Sequence, residues 1–184
     1  AALSKSAGAH STGGTSDLPS ETKPSDIGSY KVAPDLPKFI KIPSLGTYAR
    51  IRPLGVNSKN EILAPTNIYD TGWYNGSAKP SNTKTSGALL IDGHVSGPTQ
   101  PGVFSKIKNM HEGDQIQIQR GDDQLFNYKV VKVQTYDVNT LNMATALTSV
   151  KLGEPGLNLI TCNGKYNSST GYSQRTIVFA VPVK

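Results

Sequence analysis

The stretch Ala88-Leu89-Leu90-Ile91-Asp92 constrains this chain more than any other. It is continuously apolar, of strand length, and delivers Gly93-His94 at its end. Such a run reads as a central strand buried on both faces. Strand-forming residues dominate the second half, and glycine and proline are plentiful, so many short strands and many turns follow. Phe39, Ile40 and Ile42 make one short strand that Pro43 ends, and residues 48–52 make a second that Pro53 stops. Residues 61–63 suit a third. Residues 70–87 are rich in Gly, Asn, Ser and Thr and read as a long loop pinned to the core by Trp73 and Tyr74.

Downstream, residues 103–110 suit one short helix with Phe104, Ile107 and Met110 inward. Residues 115–120 alternate cleanly, with Ile116 and Ile118 on one face and glutamines on the other. Gly121-Asp122-Asp123 is a hairpin turn, and residues 125–138 return as a long strand. Its alternation slips at Val130-Val131, which predicts a bulge. Leu141, Ala144, Ala146 and Leu147 could line a short helix. Residues 157–162 and 175–183 are the last two strands, joined by a polar loop over 163–172. The chain is all-β, with about seven or eight short strands in a closed or partly closed barrel and one or two small helices; a β-sandwich is the second choice.

Residues 1–35 differ in kind. Ser, Thr, Gly, Pro, Lys and Ala dominate there, and so lean a segment cannot bury enough surface to offset its ordering entropy. It reads as a flexible leader or stalk that orders only where it meets a folded domain spanning 36–184. The formal net charge is +6. Its basic residues do not cluster or interleave with aromatics, so a solvated basic surface is favoured over nucleic-acid binding. No apolar run reaches the ~18 residues that span a bilayer. The carboxylates show no metal-loop spacing, and Asp114, Asp122 and Asp123 are better explained by turns. No cofactor or metal is expected.

The chain has a single cysteine. Cys162 can form no disulfide within the chain, so it is either core packing or a reactive thiol. It ends an apolar strand, Arg175 opens the next, and His94 follows the buried one. Strand ends are where a rigid sheet presents side chains accurately. A nearby imidazole and guanidinium would favour the thiolate of a group whose free pKa is ~8.5. The histidine could protonate a departing amine, and the arginine's donor fork could steady an oxyanion. Each of the three also has an ordinary reading: a buried thiol, a turn histidine, a surface ion pair. His10 lies in the leader, and His111 beside Glu112 suits a solvated turn.

Taken in order, these residues resemble the sortase family. Leu159-Ile160-Thr161-Cys162 resembles its nucleophile motif Thr-Leu-x-Thr-Cys, with Asn158 where the first threonine often stands. Gln174-Arg175-Thr176-Ile177-Val178-Phe179-Ala180 is similar to its arginine strand, and Gly93-His94 to its histidine motif. Ile42-Pro43-Ser44-Leu45-Gly46 resembles the opening strand pair. Gly72-Trp73-Tyr74 is similar to a segment of the class F and E branches, and Pro101-Gly102-Val103-Phe104 with Gly113-Asp114 to their middle region. The likeness runs from about residue 36 to the C-terminus.

The resemblance implies an eight-stranded β-barrel on the outer face of Gram-positive-type cells, contacting the membrane only through an anchor absent from this chain. It implies a monomer that cleaves a sorting signal such as Leu-Pro-x-Thr-Gly after the threonine. A thioacyl intermediate would pass to an amine of a peptidoglycan precursor or a pilin. Cys162 would be the nucleophile, His94 the general acid/base, and Arg175 the substrate or oxyanion group. Thr161, Asn163, Ala144 and Leu147 would help bind the signal. Asp35-Leu36-Pro37 does not match the Asp-Pro-aromatic lid of class C, and no acidic set matches the calcium site of class A. The alternatives are a non-catalytic wall-binding barrel with an inert thiol and a cysteine enzyme of another cell-wall family. The second lacks its motifs: papain-like enzymes place Cys before His, and L,D-transpeptidases carry a Ser-x-Gly-Cys-like element.

Overall fold

The computed structural model describes residues 18–83 and 87–184; residues 1–17, with His10 and the first half of the expected leader, lie outside them. Eight strands close into one barrel: β1 (Pro37–Ile42), β2 (Thr47–Leu54), β3 (Thr71–Tyr74), β4 (Ala88–Gly93), β5 (Gln115–Arg120), β6 (Leu125–Asp137), β7 (Gly156–Asn167) and β8 (Gly171–Pro182). Their order around the barrel is β1-β2-β3-β4-β7-β8-β6-β5, with β5 returning to β1. The β2–β3 and β4–β7 pairs are parallel and the others antiparallel. Closure gives every strand a neighbour on both sides over part of its length, which limits the free edges that are the usual hazard of an all-β chain.

The alternation of side chains along each strand sorts them into two apolar groups. Ile40, Ile51, Leu89, Ile91, Ile116, Ile118, Leu157 and Leu159 fill the barrel interior. Leu90, Ile160, Ile177 and Phe179 point outward instead and pack with Leu141 and Ala146. Ala146 belongs to α1 (Met143–Leu147), whose start is capped by the Asn142 side chain accepting from the Ala144 amide. This outer layer is why β4 and β7 are apolar at consecutive positions. Every residue of β4 is buried, as a strand covered on both faces requires.

Several local expectations are corrected. Pro53 does not end β2, which runs to Leu54. The β1 partner stops at Arg50, so the missing Pro53 N–H falls where that side of β2 has no strand beside it. Residues 71–74 are a strand within the expected loop, and Trp73 is a core residue whose indole donates to the Ala78 carbonyl. The expected helix over 103–110 shrinks to a single 3-10 turn at Ile107–Asn109, although Phe104, Ile107 and Met110 are buried as the pattern requires. Residues 61–63 contribute only an isolated bridge, Val56 to Ile62. The polar loop over 163–172 is mostly strand, because β7 and β8 extend as a hairpin past the barrel. The bulge in β6 stands at Val130/Lys132.

Residues 18–36 lie against this barrel. Ser20 bridges Asn67, the Tyr30 hydroxyl donates to the Ile51 carbonyl at 2.6 Å, and Leu36 packs against the interior. Tyr30 thereby covers part of β2 where β1 has ended, with its ring between the Arg50 and Arg52 guanidinium groups. Arg50 is itself fixed by a two-pronged ion pair to buried Asp70.

Candidate active site

Register decides the site. β7 and β8 pair antiparallel, with Cys162 directly opposite Arg175 and Ile160 opposite Ile177. Directly opposed residues share a face, and Ile160 and Ile177 belong to the outer layer. Cys162 and Arg175 therefore share that outer face, one step beyond the layer roofed by α1. β4 and β7 run parallel and in step, Leu90 beside Asn158 and Asp92 beside Ile160. Two residues further along stand His94, just past the end of β4, and Cys162, within β7. The three residues singled out in the sequence thus come from three adjacent strands, but only His94 stands at a strand end: β7 runs five residues past Cys162 and β8 begins four residues before Arg175, because the two continue as a hairpin.

Thr161 ties two of these strands together. It is buried, and its hydroxyl donates to the Gly93 carbonyl at 2.7 Å. That bond links the residue before His94 to the residue before Cys162. The hydroxyl expected to meet substrate is thus engaged with the backbone. Asn158, three residues earlier and on the other face of β7, does similar work. Its amide donates to the Ala146 and Thr148 carbonyls and holds α1 against the nucleophile strand.

His94 is half-buried, and its Nε2 lies 2.6 Å from the Pro65 carbonyl oxygen. A carbonyl only accepts, so Nε2 carries a proton and Nδ1 is the nitrogen left to exchange one. Burial pushes the His94 pKa below its ordinary value, with the Pro65 bond opposing. The backbone around the ring is tight. The His94 carbonyl accepts from the Phe104 amide, and a Cβ on Gly102 would come within 2.1 Å of that oxygen.

Arg175 is buried, and one guanidinium nitrogen, Nη1, donates to the Tyr172 carbonyl at 3.1 Å and the Gln174 carbonyl at 2.9 Å. Those bonds hold the fork on its own strand. The Cys162 thiol is half-buried and free. Burial pushes it up, the Arg175 charge pulls it down, and Asp92 adds to the upward push. Asp92 is itself buried, and burial raises its pKa well above the ordinary carboxylate value. With the thiol raised and the imidazole lowered, the resting pair is neutral thiol and neutral imidazole. The Tyr172 hydroxyl meets the Ser96 hydroxyl at 2.7 Å, joining the β7–β8 hairpin to the loop that carries His94.

Of the remaining candidates, Asn163 is half-buried beside Cys162 and opposite Gln174. Ala144 is exposed and Leu147 half-buried on α1, over the outer face. Sequence reasoning missed Pro65, Asp92, Asn158 and the Ser96–Tyr172 link. Asp92 alone had a signal, a carboxylate ending an otherwise apolar run. Among the described residues, no group of three or more His, Cys, Asp and Glu could hold a metal ion. None of the described helices is long and apolar enough to cross a membrane.

Residues 40–183 match the family model described as "Sortase domain". No curated protein sequence matches the chain. Among solved structures, a pilus-related sortase C of Group B Streptococcus superposes with a TM-score of 0.62 at 19% identity, covering 84% of this chain and 70% of that one. A Streptococcus pneumoniae sortase C gives 0.62 at 20% identity, covering 90% and 75%. A lid mutant of Corynebacterium diphtheriae sortase A gives 0.60 at 21% identity, covering 79% and 69%.

Proposed function

The chain belongs to the sortase family, and from that premise we propose that it is a cysteine transpeptidase acting on Leu-Pro-x-Thr-Gly-like sorting signals at a Gram-positive cell surface. The observation that carries the reading is the register that sets Cys162 opposite Arg175 and one strand from His94. Cys162 passes its proton toward His94, and its sulfur attacks the threonine carbonyl. The C–N bond to glycine breaks, and His94 gives the proton to the departing amine. The thioester is then attacked by an amine of a peptidoglycan precursor or a pilin, which releases the thiol. Arg175, already oriented by two backbone carbonyls, bears on the substrate carbonyl as its oxygen becomes negative. Leu147 packs on the outer layer that Cys162 adjoins and Ala144 shares its helix, which supports a place for both along the signal's path, whereas Asn163, next to Cys162 in β7, faces the opposite side. The Gly72-Trp73-Tyr74 segment, which forms β3, supports a class F or E assignment.

The test is cleavage of a fluorogenic sorting-signal peptide by wild type and Cys162→Ala. Loss in the variant with the fold retained supports the reading, and full activity in the variant defeats it. The raised Cys162 thiol favours a second reading, a wall-binding barrel without catalysis. Alkylation separates the two: a thiol that reacts only on unfolding belongs to the binding module.

A further inference from the structure

The segment before the barrel reaches both loops that enclose His94. Ser20 inserts its backbone between two partners: its amide donates to the Thr66 carbonyl at 2.8 Å, and its carbonyl accepts from the Ile68 amide at 3.0 Å. Thr66 adjoins Pro65, whose carbonyl holds the His94 ring. The next residue, Glu21, grips the other loop. Its carboxylate accepts from the Thr99 amide at 2.6 Å, the Thr99 hydroxyl at 2.7 Å and the Gln100 amide at 2.8 Å. Gln100 closes the turn with Gly97, and Gly102 beyond it lies against the His94 carbonyl. The two loops also join each other, since the Val103 amide donates to the Ile68 carbonyl.

We propose that Glu21, with Ser20 beside it, is a positioning residue that staples the 65–68 and 97–103 segments together and so holds His94 in its working place. The staple works at a distance from the thiol and touches no reacting atom. Charge-assisted bonds to backbone amides are short and directional, which suits a staple on loops that have no strand to hold them. The bonds to Thr99 and Gln100 also hold the Glu21 carboxyl below its ordinary pKa, so the staple stays charged above mildly acidic pH.

The inference rests on His94 being the acid/base of the proposed reaction, and its test separates the two claims. The full chain is compared as wild type, Glu21→Ala and Glu21→Gln, with thermal melting to confirm folding. The readouts are peptide cleavage against pH and the His94 imidazole titration by NMR, which needs no activity. Glu21→Gln removes the charge but keeps an acceptor for both amides, and its NH2 can meet the Thr99 hydroxyl. Glu21→Ala removes charge and bonds together. In Glu21→Ala the His94 midpoint moves up toward 6.5 as burial loosens, since burial is the larger of its two influences. Removing a negative charge would move it the other way, so the sign identifies geometry. The ionisable groups on β3, β4, β7 and β8 are Tyr74, Asp92, Cys162, Lys165, Tyr166, Tyr172 and Arg175, and none is altered. The kcat falls about tenfold with KM nearly unchanged, because small displacements of a catalytic group weigh on the chemical step. Glu21→Gln stays close to wild type in both readouts. The staple is overturned if Glu21→Ala leaves the His94 midpoint and the acid limb unmoved, or if Gln behaves as Ala does. A wild type that does not cleave, with a shifted His94 midpoint in Glu21→Ala, defeats the catalytic reading and leaves the staple standing.

Discussion

Replacing Thr161 by valine deletes one hydroxyl from the centre of the site while keeping the side chain's shape. Thr161 is 3% exposed, and its hydroxyl donates to the Gly93 carbonyl at 2.7 Å. Valine fills the same space, so the cavity term of a large-to-small change is absent. What is lost is the bond and the satisfaction of a buried acceptor, about 1–3 kcal/mol. In a domain of this size each kcal/mol moves Tm by roughly 2–4 °C, so the fall in Tm is on the order of 5 °C. Activity falls further than stability. The bond joins the residue before His94 to the residue before Cys162, and a misplacement of about 1 Å can cost up to ~100-fold in rate. Urea unfolding gives the first number, and kcat and KM on a sorting-signal peptide give the second. A lowered kcat with KM unchanged supports a tie between strands. A raised KM with kcat unchanged would instead make Thr161 a substrate contact, as the sequence reading expected, and refute the argument. Unchanged stability would refute the bond itself.

Other consequences follow from the same geometry. The kcat/KM profile is bell-shaped: the acid limb reports His94 below its ordinary ~6.5, and the alkaline limb reports Cys162 above 9.0. Activity needs one proton shared between the two, so it is lost as pH falls through the His94 value and again as it rises through the Cys162 value. Arg175→Ala removes the charge that pulls the thiol down, so the alkaline limb, or the pH dependence of iodoacetamide alkylation, moves to higher pH. Gly102→Ala sets a methyl group against the His94 carbonyl, with an overpacking cost of about 1–3 kcal/mol read by denaturant unfolding, and kcat drops with it.

How much of this was legible in the sequence depended on where the signal sat. Ala88–Gly93 and Gln115–Arg120 announced themselves because burial on two faces and on one face leave different patterns, and both patterns hold. β3 did not, because a four-residue strand is held by its partners β2 and β4 rather than by any periodicity of its own. The β7–β8 extension was read as a loop because hairpin hydrogen bonds need no apolar side chains. Gly164, at φ +82°, lies at the register break between Asn163 and Tyr166 in an otherwise continuous ladder. Cys162 and Arg175 were singled out as strand ends although β7 and β8 run past both; the β7–β8 register pairs them, and the position of His94 rests on the parallel β4–β7 pairing, which joins segments far apart in the chain. The Pro65 carbonyl and the grip of Glu21 were invisible for a simpler reason. Any residue has a carbonyl, and a lone glutamate in a Ser/Pro-rich leader looks solvated until its loop partners are in place.

The most direct test is whether Cys162 carries the acyl group. Wild type mixed with a sorting-signal peptide and no added amine should, on rapid quenching and intact-mass analysis, gain the mass of the peptide through its threonine. Peptide mapping should place it on Cys162, and added amine should release it as a ligated product. Cleavage that proceeds with no adduct on Cys162, or that persists in Cys162→Ala, would contradict it.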